Sequence, residues 1–339
     1  MSRIQHLQLV LPHTLRQLRM DAAGSQSGTV LSDWSSTGDR QRLWGADDLQ
    51  HARLNPWQHS LLYALAPALR EHGLASGMLH WRGEGKSWRT GTCLHAELVH
   101  LQAGLDDLRL ILPPPPTQAE EAQLLMSLQP LLSLAGFELQ VSPSSVPGNW
   151  YLFTERELSL QTYSPHAGFA TRIFEVMPQG THGAELRRLM TEVQMLLHEH
   201  PVNVHRARQG IPALNALWPW GAAPLMLVTE PAVQRVLGNH PWLLGLCEHL
   251  QASCWPLPPD AQALLSVDAG QVLLLLPDEA PAQLDNQWLQ PLQAALHRGD
   301  IRQLDIHLDH WRISLQGGRW RSLRRRLRPA RSDFNELLT

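Results

Sequence analysis

The residues best suited to chemistry gather in one stretch of this 339-residue chain. His198 and His200 close an apolar-periodic run, and Glu192 lies just upstream. Imidazole is a common metal ligand, but only a set with the right geometry binds. Positions i and i+2 diverge around a helix, whereas helical metal pairs stand at i and i+4. No metal site is expected there; His200 belongs on the apolar face and His198 at a helix end. Asn203, Arg206 and Asn215 follow. Arg206 can grip a carboxylate or phosphate as a bidentate fork, which would make a pocket for a small anionic ligand. The same three residues can instead form an internal network that fixes a turn, since asparagine side chains routinely bond nearby backbone. Trp218 and Trp220 flank Pro219 in a segment that reads as extended, and they are expected on opposite faces.

Two other groups are conspicuous. Cys93, Cys247 and Cys254 are an odd, sparse set without zinc-motif spacing, and read as buried, reduced thiols. Arg319, Arg321, Arg324, Arg325, Arg326, Arg328 and Arg331 form a local charge excess. They would suit nucleic acid or an acidic protein partner, or form a solvated tail. No helix-turn-helix, RNA-recognition or finger motif accompanies them. A formal net charge of −3 gives no global field to recruit nucleic acid or membrane. The longest apolar run, 272–277, is far too short to span a bilayer. The N-terminal stretch has no long apolar core followed by a cleavage site. A cytoplasmic protein with no membrane contact is the expectation.

The elements that must position these residues can be read coarsely. Residues 4–11 form a strand that stops at Pro12, and 22–40 read as a loop. Residues 57–71 have helical spacing, while 78–81 and 88–92 read as short strands. Strands are expected at 95–101 and 105–112, then a four-proline link, then a helix capped by Thr117 with Glu120 completing a capping box. That helix ends at Gly136, and strands follow at 137–141 and 150–153. Residues 184–197 carry the clearest helical stripe, and Asn203 is expected to cap a second short helix closed by Gly210. The last third alternates: helix 242–250, strand 271–276, helix 286–297, strand 303–308. That alternation predicts an α/β layer with a parallel sheet.

The segment 191–221, TEVQMLLHEHPVNVHRARQGIPALNALWPWG, resembles a signature of archaeal-type cofactor-independent phosphoglycerate mutases. It is more similar still to uncharacterised bacterial regulatory proteins of the RpfE type. His95-Ala96-Glu97-Leu98-Val99-His100-Leu101 and Asn149-Trp150-Tyr151 share the likeness, which spans roughly 89–310. The resemblance implies an α/β fold: a degenerate alkaline-phosphatase-like core with an inserted α+β domain. By it, 1–88 is the first part of the core, 89–215 the insert, and 216–339 the rest of the core with the arginine-rich tail. Such mutases use two metal ions and a serine nucleophile, because paired cations clamp the attacking and leaving oxygens of phosphoryl transfer. Where the family pattern has Asp-Gly, this chain has Pro12-His13-Thr14. Where it has Asp-Glu-Ala-Gly-His, the chain keeps only Asp278-Glu279-Ala280-Pro281. Asp309-His310 survives as one late dyad, and Ser35 and Ser36 lie in the general region of the nucleophile. One dyad cannot hold two metals.

The sequence thus reads as a mutase-like protein lacking its metal site, with no metal or other cofactor, acting by binding a protein partner or small anionic ligand. The candidate ligand-binding residues are His200, Asn203, Arg206, Asn215, Trp218, Asp309 and His310. The alternatives are a phosphoryl-transfer or phosphoester enzyme with a site rebuilt around Asp309, His310 and 198–215, or an arginine-tail adaptor for nucleic acid or a protein.

Overall fold

A computed structural model describes residues 4–12, 34, 37–43, 53–69, 74–104, 108–142, 147–169, 172–223, 235–266, 269–277, 281–308 and 310–318. It holds two sheets. Strands β1 (Ile4–Leu11), β2 (Asp39–Arg42), β8 (Arg235–Leu237), β9 (Cys254–Trp255), β10 (Ala269–Leu275), β11 (Ile301–Leu308) and β12 (Trp311–Gln316) form the larger one. Their order is β2-β12-β11-β1-β10-β8-β9. From β11 to β9 the pairing is parallel, and β12 and β2 add an antiparallel edge. The parallel sheet expected from the alternating last third is present, with β1 at its centre.

The second sheet contains β3 (Thr92–Ala103), β4 (Leu108–Ile111), β5 (Glu138–Val141), β6 (Asn149–Thr154) and β7 (Ala216–Trp220). All its pairings are antiparallel, with β3 bonded to β4, β6 and β7. Because β7 pairs with β3 from His95↔Trp220 to Val99↔Ala216, this sheet extends beyond the division expected at 215.

Alternation along the strands explains the layers. Leu7, Leu9 and Leu11 share one face of the large sheet with Leu304, Ile306 and Leu308. They pack against helix Gln290–Arg298 in one core. Val10, Leu273 and Leu275 point the other way, into a core that also takes Trp218 and Trp220 from the second sheet. Helices α1 (Pro56–Leu65), α2 (Ser76–Gly83) and α6 (Pro241–His249) lie in that middle layer. The far face of the second sheet, with Leu94, Ala96 and Leu98, is covered by α3 (Gln118–Leu134) and α4 (Gly183–His198). Short helix α5 (Pro201–Arg208) follows α4.

Local signals explain several boundaries. Thr117 and Glu120 form the reciprocal capping box, and Gly136 follows the helix at φ +80°. Pro12 follows β1. Four expectations need correction, the first being the strand expected at 88–92: residues 88–91 carry no strand, and β3 begins only at Thr92. Residues 78–81 lie in a helix, not a strand, because a short apolar run fits either until its packing is known. His200, not Asn203, caps α5; its Nδ1 accepts from Val202 N at 3.3 Å, with Pro201 in the first turn. Trp218 and Trp220 enter the same core, as residues two apart on a strand must. Of the loop expected at 22–40, residues 22–33, 35 and 36 lie outside the described residues, while Asp39 and Arg40 open β2 instead. No helix among the described residues is long and apolar enough to cross a membrane.

One strand of the large sheet carries a costly side chain. His307 on β11 is fully buried, and neither ring nitrogen has a hydrogen-bond partner among the described residues. Burial, with Arg312 and His6 nearby and opposed by Asp305, holds its imidazole at about 4. The unfolded chain binds a proton there near the usual 6.5. Folding therefore gains its full contribution from neutral His307 above that value and loses it as pH falls from about 6.5 to 4. The shift corresponds to something on the order of 3 kcal/mol. Melting curves from pH 7.5 to 4 should show a shallower acid limb for His307→Leu than for the parent. Identical limbs would mean His307 is not held neutral.

Candidate functional site at the seam between the sheets

In an open parallel sheet, ligands bind outside the carboxyl ends of the strands. At that edge the chain leaves β8 into His240, the cap of α6, whose ring packs 4.7 Å from Trp57. From there a polar cluster runs across the seam to the second sheet.

Its centre is Ser76, in the first turn of α2 and fully buried. The indole N–H of Trp242 donates to Ser76 Oγ at 3.0 Å, and Gln58 Nε2 donates at 3.4 Å. His95 Nε2 lies 3.3 Å from the same oxygen. Two incoming N–H donors leave the hydroxyl proton to point at His95 Nε2, which places the imidazole proton on Nδ1. Burial, then the neighbouring His80, keeps His95 well below the usual imidazole range. His80 stands 5.2 Å away, held at about 4 by burial, and lies 5.3 Å from His240.

A hydroxyl donating to a neutral imidazole is the first half of a serine nucleophile. The other half is missing from this geometry. The nearby carboxylate, Glu97, sits two residues along β3 on the same face, but it accepts from Trp220 Nε1 at 2.7 Å. Trp220 stacks on His95 at 4.5 Å. Among the described residues no carboxylate is hydrogen-bonded to His95. Burial raises Glu97 to about 7, opposed by the Trp220 hydrogen bond.

The seam is closed by glycines. Gly221 has φ +81°, and a Cβ there would meet Ser76 Cβ at 3.0 Å and His95 Cδ2 at 3.1 Å. Its N–H donates to Thr162 Oγ1 at 3.0 Å, and its carbonyl accepts from Gly77 N at 3.3 Å. Trp218-Pro219-Trp220-Gly221 therefore ends against Ser76 and His95.

The residues singled out from the sequence are occupied elsewhere. Asn203 Nδ2 donates to the carbonyls of Leu197 and Leu214 at 2.8 and 3.0 Å, and its Oδ1 accepts from Leu214 N at 2.7 Å. Arg206, 2% exposed, donates to Pro212 O at 3.0 Å and Pro114 O at 2.7 Å, and pairs with Glu120 at 3.3 Å. Asn215 exchanges two bonds with the backbone of Leu101, at 2.8 and 3.0 Å. His200 Nε2 meets Ser127 Oγ at 2.9 Å, and Trp218 Nε1 donates to Tyr163 O at 2.8 Å. These five tie helices, loops and the second sheet to one another. His310 is in the large sheet, at the turn between β11 and β12, where its carbonyl accepts from Leu43 N at 2.8 Å. Asp309, Ser35, Ser36, Asp278, Glu279 and Arg319 to Arg331 lie outside the described residues.

Ser76, Gln58 and Trp242 escaped the sequence reading. A Ser-Gly pair ahead of an apolar run was the available signal for a helix start. Nothing in spacing pairs Ser76 with His95 or Trp242. His95 stood within a stretch already noted, without a partner.

Over 146 residues the chain is 25% identical to a 2,3-bisphosphoglycerate-independent phosphoglycerate mutase of Methanothrix thermoacetophila. Part of this chain is distantly homologous to such a mutase. The match covers 41% of the chain and 37% of that relative, so it spans well under half of either. No family model matches the chain. Among solved structures, a cofactor-independent phosphoglycerate mutase from Thermoplasma acidophilum aligns over 93% of this chain and 90% of its own, at 17% identity and TM-score 0.37. A Pyrococcus horikoshii protein aligns over 94% and 88%, at 12% identity and TM-score 0.40.

A two-metal centre needs several carboxylate and imidazole donors around one space. Among the described residues no group of three or more His, Cys, Asp or Glu side chains is arranged to hold a metal ion. β1 runs into Pro12 at the carboxyl edge, and proline offers no metal-binding side chain. The described donors do not fit a two-metal centre.

Proposed function

We propose that this chain is a phosphoglycerate-mutase-like protein that has lost phosphoryl transfer and acts by binding, in a regulatory role. The single observation that carries this reading is the sealed seam. Ser76 has no exposed surface, its oxygen is held by Trp242 and Gln58, and the neighbouring carboxylate, Glu97, is bonded to Trp220. A substrate must reach its nucleophile within roughly 3–3.5 Å. Here indoles and imidazoles fill that space.

The same reading divides the chain into an alkaline-phosphatase-like core and an inserted unit carrying the second sheet. The binding partner would be a protein or a small anionic ligand. Likeness to the RpfE-type group supports the regulatory part. The five residues from His200 to Trp218 serve as anchors of the inserted unit in this account, not as ligand contacts.

The test is turnover of 2- and 3-phosphoglycerate and of p-nitrophenyl phosphate, with magnesium, manganese or zinc supplied. The expected rate equals that of buffer with metal alone. Turnover that Ser76→Ala or Asp309→Asn abolishes would overturn the proposal.

A further inference from the structure

Two thiols outside the seam meet in a way that the proposed function does not use. Cys247 is in the last turn of α6, buried in the middle core. Cys254 opens β9, the edge strand of the large sheet, and is half-buried against the same core. The chain between them reverses tightly. Ala252 N donates to Cys247 O at 2.8 Å, and Gln251 takes the left-handed region at φ +53°. β9 is then registered by Val236↔Cys254, and Cys254 Sγ lies 3.8 Å from Gly238 O. This reversal sets both thiols against one core, Cys247 inside it and Cys254 packed on it, close enough for each to shift the other.

We propose that Cys247 and Cys254 are a redox modification site, in which a hydroperoxide oxidises the pair to an intramolecular disulfide. The two sulfurs differ in the way such chemistry needs. The neighbouring Cys247 lowers the Cys254 thiol below its ordinary range, against burial and with help from the Trp255 backbone. The same proximity, with burial, raises Cys247. Cys247 is buried and Cys254 only half-buried, so a hydroperoxide reaches Cys254 first, and its thiolate is the nucleophile. Its sulfur bonds to one peroxide oxygen, the O–O bond breaks, and the other oxygen leaves as water or alcohol after taking a proton. Cys254 is now a sulfenic acid. Cys247 sulfur then attacks Cys254 sulfur; the S–S bond forms, the S–O bond breaks, and the oxygen leaves as water with the Cys247 thiol proton. Two electrons pass from the sulfurs to the peroxide. Cys93, buried in a different cluster beside Tyr151 and Phe153, takes no part.

The link would pin the end of α6 to the sheet edge. The start of the same helix is His240, in the histidine cluster of the seam. Oxidation would thus rigidify the helix that carries Trp242 onto Ser76.

The full chain is treated with hydrogen peroxide, denatured with an alkylating agent, and its thiols counted and mapped by mass spectrometry. The expected result is a fall from three free thiols to one, a Cys247–Cys254 cross-linked peptide, and full return with dithiothreitol. Cys93→Ser should leave the cross-link intact. Cys254→Ser should keep both remaining thiols free; this half-buried position serves as the control should Cys247→Ser misfold. Three retained thiols, a sulfinic acid at Cys254 with Cys247 free, or disulfides only between chains would each overturn the proposal.

Discussion

Arg206→Met should destabilise the protein by about 3–5 kcal/mol, the scale for breaking a buried, hydrogen-bonded charge pair. Arg206 is among the most completely buried large side chains in the structure. Its guanidinium serves three acceptors from two directions: Pro212 O beyond its own helix, and Pro114 O and Glu120 at the start of α3. Glu120 also accepts from Thr117 N in the capping box, so the ion pair and the start of α3 are coupled. Methionine fills similar space but leaves a carboxylate and two carbonyls without their donor, each carrying a desolvation penalty. Arg206→Lys should recover little, because an ammonium cannot present the planar fork that reaches all three acceptors. Urea unfolding of the parent and both variants measures this. A loss below about 1 kcal/mol in the methionine variant would show that Arg206 is not an anchor.

The second large effect belongs to the contact between α2 and α6. A Cβ on Gly83 would sit 1.7 Å from Pro241 O and 2.8 Å from Gly245 N. A Cβ on Gly245 would sit 1.8 Å from Leu79 O. These atoms are backbone, so no side chain can rotate away and the helices themselves must part. Overpacking of this kind costs typically 1–3 kcal/mol and more where backbone must move. Gly83→Ala and Gly245→Ala should each cost at least about 3 kcal/mol. The double variant should cost less than the sum, because one separation relieves both clashes. The strain also reaches the seam, since α2 carries Ser76 and α6 carries Trp242. Equilibrium unfolding of the three variants gives the coupling, and strictly additive costs would refute a shared clash.

The sequence made some of this legible because the signals were local. Proline after β1, the Thr117–Glu120 box and the apolar stripe of α4 each declare themselves within a few residues. Alternation of strand and helix in the last third announced the parallel sheet. The misreadings share a cause. Residues 78–81 read as a strand because four apolar-leaning residues fit either period, and only the glycine contact with α6 decides. Asn203 looked like a cap because asparagine often is one, yet its amide clips Leu197 to Leu214 from inside α5. Arg206 and Asn215 suit a ligand grip and an internal clip alike, because both present several directed hydrogen bonds; here those bonds go to the chain itself. The Ser76 cluster stayed hidden because its members come from α1, α2, β3 and α6, and no period or spacing links them.

The proposed loss of phosphoryl transfer requires that no two-metal centre operates in this chain. Equilibrium dialysis of the purified full chain against manganese or zinc at neutral pH tests it most directly, with bound metal counted after gel filtration. The account predicts less than one retained ion per chain, unchanged by Asp309→Asn. Two retained ions per chain, lost together in Asp309→Asn, would contradict it.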